Sequence, residues 1–443
     1  MLFDNIAIVV AMFFWLSYVP IAIISLYRVV SNRNLFVEKH LEQKRSNAPI
    51  IFQITTRSAT KTHVVRRGIE SILESAHKAG YYNYQISVVT DDPEDARTLR
   101  GVKCEVVVVD KAFQTDAIRK GRALQFAVEH RRRTKKNGSK YWVFHMDDES
   151  YVTPQTVLAL LQATERGAVA SEGPIFYPLK FESANRLTAL AESIRPFACY
   201  DCVSQMTHPP PLHMHGSNLL VRSDVEDTIE WKFGPTLAED QMFGYKIYEK
   251  YGPGSMGWHG GALLEQPPLN IKDHFFQRRR WVLGTLQNGN KFPLWHRFKL
   301  FYKSVTYFLG FASAVASTAF AVYNYLPALL SPSTYISNIR ESISTFTFTP
   351  AIIDPLELGI GGVLLFTSLV WLASYQFGLY LNLRYSDIGW KKRSKYHVQT
   401  LILCPIIGLV ETFPAFWAMI EYNVKKKSEP AKAPIYDFYV VNK

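Results

Sequence analysis

The stretch YWVFHMDDES, Tyr141 to Ser150, constrains the fold more than any other. Its aromatic and apolar start, Tyr141, Trp142, Val143 and Phe144, reads as a short buried strand, and it stops abruptly in Asp147, Asp148 and Glu149. An open α/β sheet keeps its chemistry at the carboxyl ends of its strands, so acid at this point suggests a site. Carboxylates at alternate positions, Asp147 and Glu149, can both face one Mg²⁺ or Mn²⁺, hard ions that take oxygen ligands and share them with a diphosphate. A solvated acidic turn would use the same residues, so the company of the motif has to decide.

That company is an alternation of strand and helix patterns across residues 46–290. PIIFQITT (Pro49 to Thr56), QISVVT (Gln85 to Thr90) and KCEVVVV (Lys103 to Val109) read as buried strands, with amphipathic helices near Thr62 to Ala79 and Lys120 to His130. Such alternation predicts an α/β fold whose mostly parallel sheet is covered by helices on both faces. The second strand runs into Asp91 and Asp92, a second acidic carboxyl end. Lys120 and Arg122 stand at a helix start, where backbone N–H groups also favour anions, although a solvated helix face would use the same pair. RRRTKK, Arg131 to Lys136, reads as a solvated basic loop. LAED, Leu237 to Asp240, precedes an amphipathic stretch to Tyr251, so its carboxylate is either a helix cap or a base held at a site. QRRRW, Gln277 to Trp281, lies on a helix-like segment, and adjacent helical positions point in different directions. Its arginines therefore divide between a diphosphate and acidic partners or lipid headgroups. His213 and His215 are structural or metal ligands.

Apolar residues concentrate at the two ends. Ile6 to Leu26 holds no charge and is followed by Arg28, Arg33, Lys39, Lys44 and Arg45, which predicts an uncleaved transmembrane anchor within 1–30 and a cytoplasmic domain after it. Two further uncharged spans, Val305 to Leu330 and Leu358 to Leu383, predict two transmembrane helices within 304–383. Val398 to Ile420 is interrupted by Pro405, Glu411 and Pro414 and followed by Lys425, Lys426 and Lys427. A crossing there would strand the lysines outside, so 384–443 is expected to form an interfacial helix or a re-entrant hairpin with a cytoplasmic tail. The 50 Lys+Arg against 38 Asp+Glu would also suit nucleic acid, but this distribution favours membrane lipids and no nucleic-acid partner. Cys104, Cys199, Cys202 and Cys404 give no disulfide framework and read as reduced thiols.

In order, Thr55-Thr56-Arg57, the acid of VVTDDP, KGRAL, DDE, AED and QRRRW resemble the motif set of membrane-integrated family-2 glycosyltransferases. Within the cellulose synthase/hyaluronan synthase-like superfamily, the chain is most similar to egghead-like β-1,4-mannosyltransferases. The resemblance covers about residues 50 to 285 and implies a GT-A type nucleotide-sugar-binding domain with Mg²⁺ or Mn²⁺. It implies a donor site drawing on Thr55, Arg57, Asp148, Asp91 or Asp92 at the nucleoside, and Lys120, Arg122 and Arg278 near the diphosphate. Asp147 and Glu149 would hold the ion. Asp240 would be the general base, with Gly216, Ser217, Glu239, Gln277, Arg280 and Trp281 on the acceptor side. The terminal FYVVNK resembles a gating segment, which implicates Phe438, Val440 and Lys443 in closing over the site. This sequence has Glu149 where the family's second Asp is usual, Ala238 for Thr, and Val441-Asn442 in the gating segment.

The function expected is inverting transfer of a sugar, mannose from GDP-mannose with a β-linkage, to a lipid-linked or glycolipid acceptor at the cytoplasmic face of a plasma membrane or endomembrane. The competing readings are a processive UDP-sugar polysaccharide synthase and a non-catalytic nucleotide-sugar-binding membrane subunit. No oligomeric state is implied.

Overall fold

The computed structural model describes residues 13, 19–32, 46–57, 62–134, 140–195, 213–330 and 355–428. Most of the expected anchor, the 331–354 connection, Cys199, Cys202 and the FYVVNK segment with Phe438, Val440 and Lys443 lie outside the described residues.

Helix α1 (Val19–Asn32) precedes the sheet domain, where β1 (Ile50–Thr56), β2 (Tyr84–Thr90), β3 (Glu105–Val108) and β4 (Trp142–Asp147) alternate with α2 (Thr62–Lys78), α3 (Pro93–Thr98) and α4 (Arg119–Thr134). After β4 come α5 (Pro154–Ala163), β5 (Ala170–Glu172), β6 (Ile175–Phe176), α6 (Arg186–Ala191), β7 (Leu219–Arg222), α7 (Ser223–Ile229) and α8 (Glu239–Tyr251). β8 (Met256–Trp258) and β9 (Leu263–Leu264) lead to α9 (Ile271–Asn288), α10 (Leu294–Leu330), α11 (Pro355–Arg384) and α12 (Trp390–Ser428).

Seven strands form one sheet in the order β3-β2-β1-β4-β7-β5-β8, and β6 pairs with β9 separately. β3, β2, β1 and β4 are mutually parallel, β7 is antiparallel to both β4 and β5, and β8 is parallel to β5. The sheet is α/β and mostly parallel, as the alternation predicts. The period-2 pattern explains how it is covered. Ile50, Phe52 and Ile54 face Val65, Ile69, Ile72 and Leu160, whereas Ile51 faces Leu124 and Val128 on the opposite side.

Under that second face lies a buried polar knot. Glu226 accepts from Arg131 Nη2 at 2.5 Å and Trp231 Nε1 at 2.8 Å, and His145 Nε2 lies 3.1 Å from it. Burial opposes the charge, but Arg131 and His145 outweigh it and hold the Glu226 carboxyl at about 2. Arg131 is therefore not part of a solvated loop. It sits in the last turn of α4, with Arg132 and Arg133 beside it.

The C-terminal helices pack onto the sheet domain. Tyr375 and Leu379 of α11 and Ile407 of α12 share a core with Phe181 and Leu190, while Ala415 and Ala418 of α12 meet Val282 and Leu283 of α9. α12 is one continuous helix through Pro405 and Pro414, so among the described residues 390–428 form no re-entrant hairpin. Each proline removes one intrahelical N–H donor without ending the helix. Val398, Ile402, Ile406, Phe413, Trp417 and Val424 form its open apolar face. Among the described residues, one helix, Trp390–Lys426, is long and apolar enough to cross a membrane, by length and composition.

The polar knot carries a stability prediction. Glu226→Ala strands buried Arg131 without its carboxylate and is expected to cost about 3–5 kcal/mol. A folded-state value below the usual carboxylate range means that the wild-type contribution is present above about pH 4.5 and is lost as pH falls toward about 2. Denaturant unfolding of both proteins at pH 7 and pH 3 checks this; a difference below about 1 kcal/mol at pH 7 would contradict it.

Candidate active site

Strands are added outward on one side of β1 and then, with β4, on the other, so the order reverses between β1 and β4. A crevice opens beyond the carboxyl ends of strands at such a reversal. Thr55 pairs in register with Asp147 there, and Thr56 Oγ1 donates to Asp148 Oδ2 at 3.0 Å. β4 ends at Asp147, and Asp148 and Glu149 enter a turn. Strand alternation thus does not extend to Glu149, which is 5% exposed, while Asp147 and Asp148 are half-buried.

Behind the turn, Ser150 Oγ and Ser217 Oγ both donate to Glu265 Oε1, at 2.9 and 3.0 Å. Ser217 is buried and holds the strand end, rather than standing open to an acceptor as expected. Glu265 was not legible as part of the site from its sequence context.

The first turn of α4 brings Lys120 across the crevice. Its Nζ donates to Asp147 Oδ1 at 2.5 Å and to the Gly216 carbonyl at 2.9 Å. Burial disfavours the ammonium, but Asp147 and Glu239 outweigh it and raise its pKa. A Cβ on Gly216 would lie 3.0 Å from Asp240 Oδ2 and 3.2 Å from Lys120 Nζ, so a glycine lets this loop enter between the charges. Buried Glu172 holds the same loop, accepting the His215 N–H at 2.5 Å. Burial pushes the Glu172 carboxyl well up. The backbone bond and burial of His215 fit its structural reading; among the described residues no three His, Cys, Asp or Glu side chains are grouped to hold a metal.

Asp240 is the perturbed carboxyl of this cluster. Burial first and Glu239 second push it up to about 7, against Lys120, the Gln241 N–H at 2.8 Å and Arg280. A carboxyl poised there exchanges a proton near neutral pH, as a general base must.

At the neighbouring strand end, Asp91 Oδ1 accepts from Arg122 Nη1 at 3.1 Å, and Arg122 Nη2 also reaches the Asp110 carbonyl at 2.5 Å. Burial raises the Asp91 carboxyl, with Arg122 and Arg57 pulling the other way. Asp92 instead caps α3, its Oδ1 accepting the Glu94 N–H at 2.9 Å. Asp91 is therefore the acid left facing the crevice.

QRRRW divides its arginines. Arg278, expected near the diphosphate, is buried between two carboxylates: Nε donates to Glu411 Oε1 at 2.8 Å and Nη2 lies 2.8 Å from Glu192 Oε1. Its guanidinium thus meets α12, which carries Glu411. Arg279 forks onto both oxygens of Glu421 at 2.6 Å. Arg280 is the member whose charge reaches Asp240. Gln277 is buried and accepts from Arg278 Nη1 at 2.9 Å, while Trp281 stays half-buried with the Arg195 and Arg278 guanidiniums 4.3 and 4.4 Å from its ring.

Residues 142–377, more than half of the chain, match glycosyl transferase family group 2. The chain belongs to this family. Its GT-A type α/β domain places the family's matched span from β4 into α11, so the DDE, AED and QRRRW segments all fall inside it. The chain is 26% identical over 250 residues to β-1,4-mannosyltransferase egh of Drosophila melanogaster and 25% identical over 243 residues to β-1,4-mannosyltransferase bre-3 of Caenorhabditis elegans. Each match takes in 54% of this chain and 52% of the relative, so the chain spans about half the length of the curated relatives it matches. Among solved structures, the mannosyltransferase PcManGT from Pyrobaculum calidifontis, in complex with GDP-Man and Mn²⁺, is similar with a TM-score of 0.45 at 12% identity, covering 81% of this chain and 98% of that one.

Gly284 joins two halves of this family 2 site. A Cβ there would lie 2.7 Å from both the Cβ and N of Ala238 and 2.8 Å from Leu237 C, so only glycine lets α9 touch the loop that carries Asp240. Gly284→Ala must displace that backbone. It is expected to cost about 1–3 kcal/mol of stability and at least about tenfold in turnover. Thermal unfolding and sugar-nucleotide turnover check this, and wild-type values for both would show that the close approach is unimportant.

Proposed function

We propose that the chain is an inverting glycosyltransferase that moves mannose from GDP-mannose, with formation of a β-linkage, to a lipid-linked or glycolipid acceptor. The observation that carries this reading is Asp240, a carboxyl raised to about 7 beside Lys120 and within the field of Arg280. Inverting transfer is one in-line displacement and needs a base on the acceptor side and neutralised charge on the leaving diphosphate. Mannose is favoured over other sugars by the two β-1,4-mannosyltransferase relatives.

In this reading Asp240 accepts the proton of the acceptor hydroxyl as the oxygen attacks the anomeric carbon. Asp91, with Arg57 and Arg122 around it, receives the nucleoside, and Lys120 stands where the diphosphate leaves. Asp147 and Glu149 supply only hard oxygen donors, the ligand type that Mg²⁺ or Mn²⁺ takes when it shares its shell with substrate phosphates, and Asp148 stands beside them on the donor side. Such an ion, when bound, neutralises charge on the departing diphosphate. Arg280, Gln277, Glu239, Gly216 and Trp281 would frame the acceptor. The open apolar face of α12 and the basic residues flanking the apolar helices support a multi-pass membrane protein with this domain on the cytoplasmic side.

Four measurements test the reading. Asp240 works unprotonated, so kcat/KM for mannosyl transfer should rise about tenfold per pH unit up to about pH 7 and level off above it. Asp240→Asn should lose about 10²- to 10⁴-fold in rate with donor affinity nearly intact. A flat profile, or an active Asn variant, removes Asp240 from the chemistry. In a panel of GDP-mannose, UDP-glucose and UDP-N-acetylglucosamine, single-mannose products are expected, and excess chelator should abolish them. Polymer from a UDP-sugar would instead establish a processive synthase.

A further inference from the structure

We propose that Glu411, carried by the apolar helix α12, is a positioning residue for the acceptor platform: through Arg278 it fixes the plane of the Trp281 indole. The inference rests on the reading above that Trp281 faces the acceptor.

The geometry is a closed cage. Two nitrogens of the Arg278 guanidinium donate hydrogen bonds, Nε to Glu411 Oε1 at 2.8 Å and Nη1 to Gln277 Oε1 at 2.9 Å, and the third, Nη2, is ion-paired 2.8 Å from Glu192 Oε1. A planar fork held at three points has one orientation. That plane lies 4.4 Å from the centre of the Trp281 ring, and Arg195 lies 4.3 Å from it. Cation and indole attract most strongly when desolvated, so holding the guanidinium also holds the ring.

His274 completes the cage. Its Nδ1 faces Glu192 at 3.4 Å and its Nε2 faces Glu411 at 3.1 Å. A neutral imidazole has one N–H, whereas two carboxylates at its two nitrogens call for the doubly protonated ring. Two carboxylates then face three cations, His274, Arg278 and Arg195, whose charge also reaches Glu192, with Glu192, His274 and Arg278 almost fully buried. Removing Glu411 takes one of only two anions away from these cations in a desolvated place. An acid in the middle of an otherwise apolar helix is costly unless it has a partner and a task. Here its partners sit on the helix that carries QRRRW, next to the ring that would receive the acceptor. The two outer arginines of the motif thus have different work: the charge of Arg280 reaches Asp240, and Arg278 supports Trp281.

The test uses the full chain in detergent or nanodiscs, with Glu411→Gln and, as a variant on the other side of the contact, Arg278→Lys, which keeps the charge and loses the fork. Three quantities are read: acceptor KM, donor KM with acceptor-independent donor hydrolysis, and acrylamide quenching of Trp281 emission, taken as the difference from the same protein carrying Trp281→Phe. The expected result is an acceptor KM raised about tenfold in both variants, donor values within about twofold of wild type, and Trp281 quenched about twofold more readily. Glu411→Asp should recover part of the acceptor affinity. Unchanged acceptor KM and unchanged quenching in both variants would overturn the proposal. So would donor and acceptor parameters that fall together, because that is the signature of general loosening. A wild type that neither hydrolyses nor transfers any sugar nucleotide would defeat the functional reading instead, and the Trp281 quenching would still decide whether Glu411 sets the ring.

Discussion

Three carboxylates, Asp147, Glu239 and Asp240, act on one ammonium near the reversal of strand order between β1 and β4, and acids drawn from three elements to one place are costly without a cation between them. Lys120 answers that need. One ammonium reaches Asp147, the Gly216 carbonyl and the field of Asp240 at once, joining α4, β4, the loop before β7 and the start of α8. It leaves Asp240 only partly compensated, with burial and Glu239 still dominant, and that residual imbalance is what brings the carboxyl to about 7. The same imbalance would be costly in a structure with no use for a proton acceptor.

The parallel half of the sheet and its helices were legible because period-2 apolar runs and 3.6-residue amphipathic runs alternate cleanly from Pro49 to His130. The acidic strand ends and the QRRRW helix were legible too, as motifs. What each side chain touches was not, because it depends on long-range partners. Arg278 and Arg280 are two residues apart in sequence, yet one meets Glu192 and Glu411 while the charge of the other is felt at Asp240. Asp91 and Asp92 are equivalent as letters, and only the turn into α3 makes Asp92 a cap. Arg131 read as loop charge because Glu226 lies 95 positions away in the chain. Gly284 gave no signal at all, since its importance lies in the backbone of Leu237 and Ala238 across the interface.

The C-terminal helices show the same dependence on partners. Pro405, Glu411 and Pro414 argued against a continuous helix, and α12 is continuous. Its acid is matched by Arg278 and His274, and its small residues Ala415 and Ala418 let it lie close to α9. An apolar helix that would be awkward alone becomes the wall against which the QRRRW helix is set. In the proposed reading, this ties the acceptor side of the site to the helix that is long and apolar enough to cross a membrane.

If Asp240 takes the proton of the acceptor hydroxyl as its oxygen attacks the anomeric carbon directly, the sugar changes hands in one displacement. The anomeric configuration of the product decides this most directly. With GDP-α-mannose as donor, proton NMR of the first product formed should show a β-mannoside. An α-mannoside would mean retention of configuration, which a single base opposite the leaving diphosphate cannot give, and the account of this site would fail.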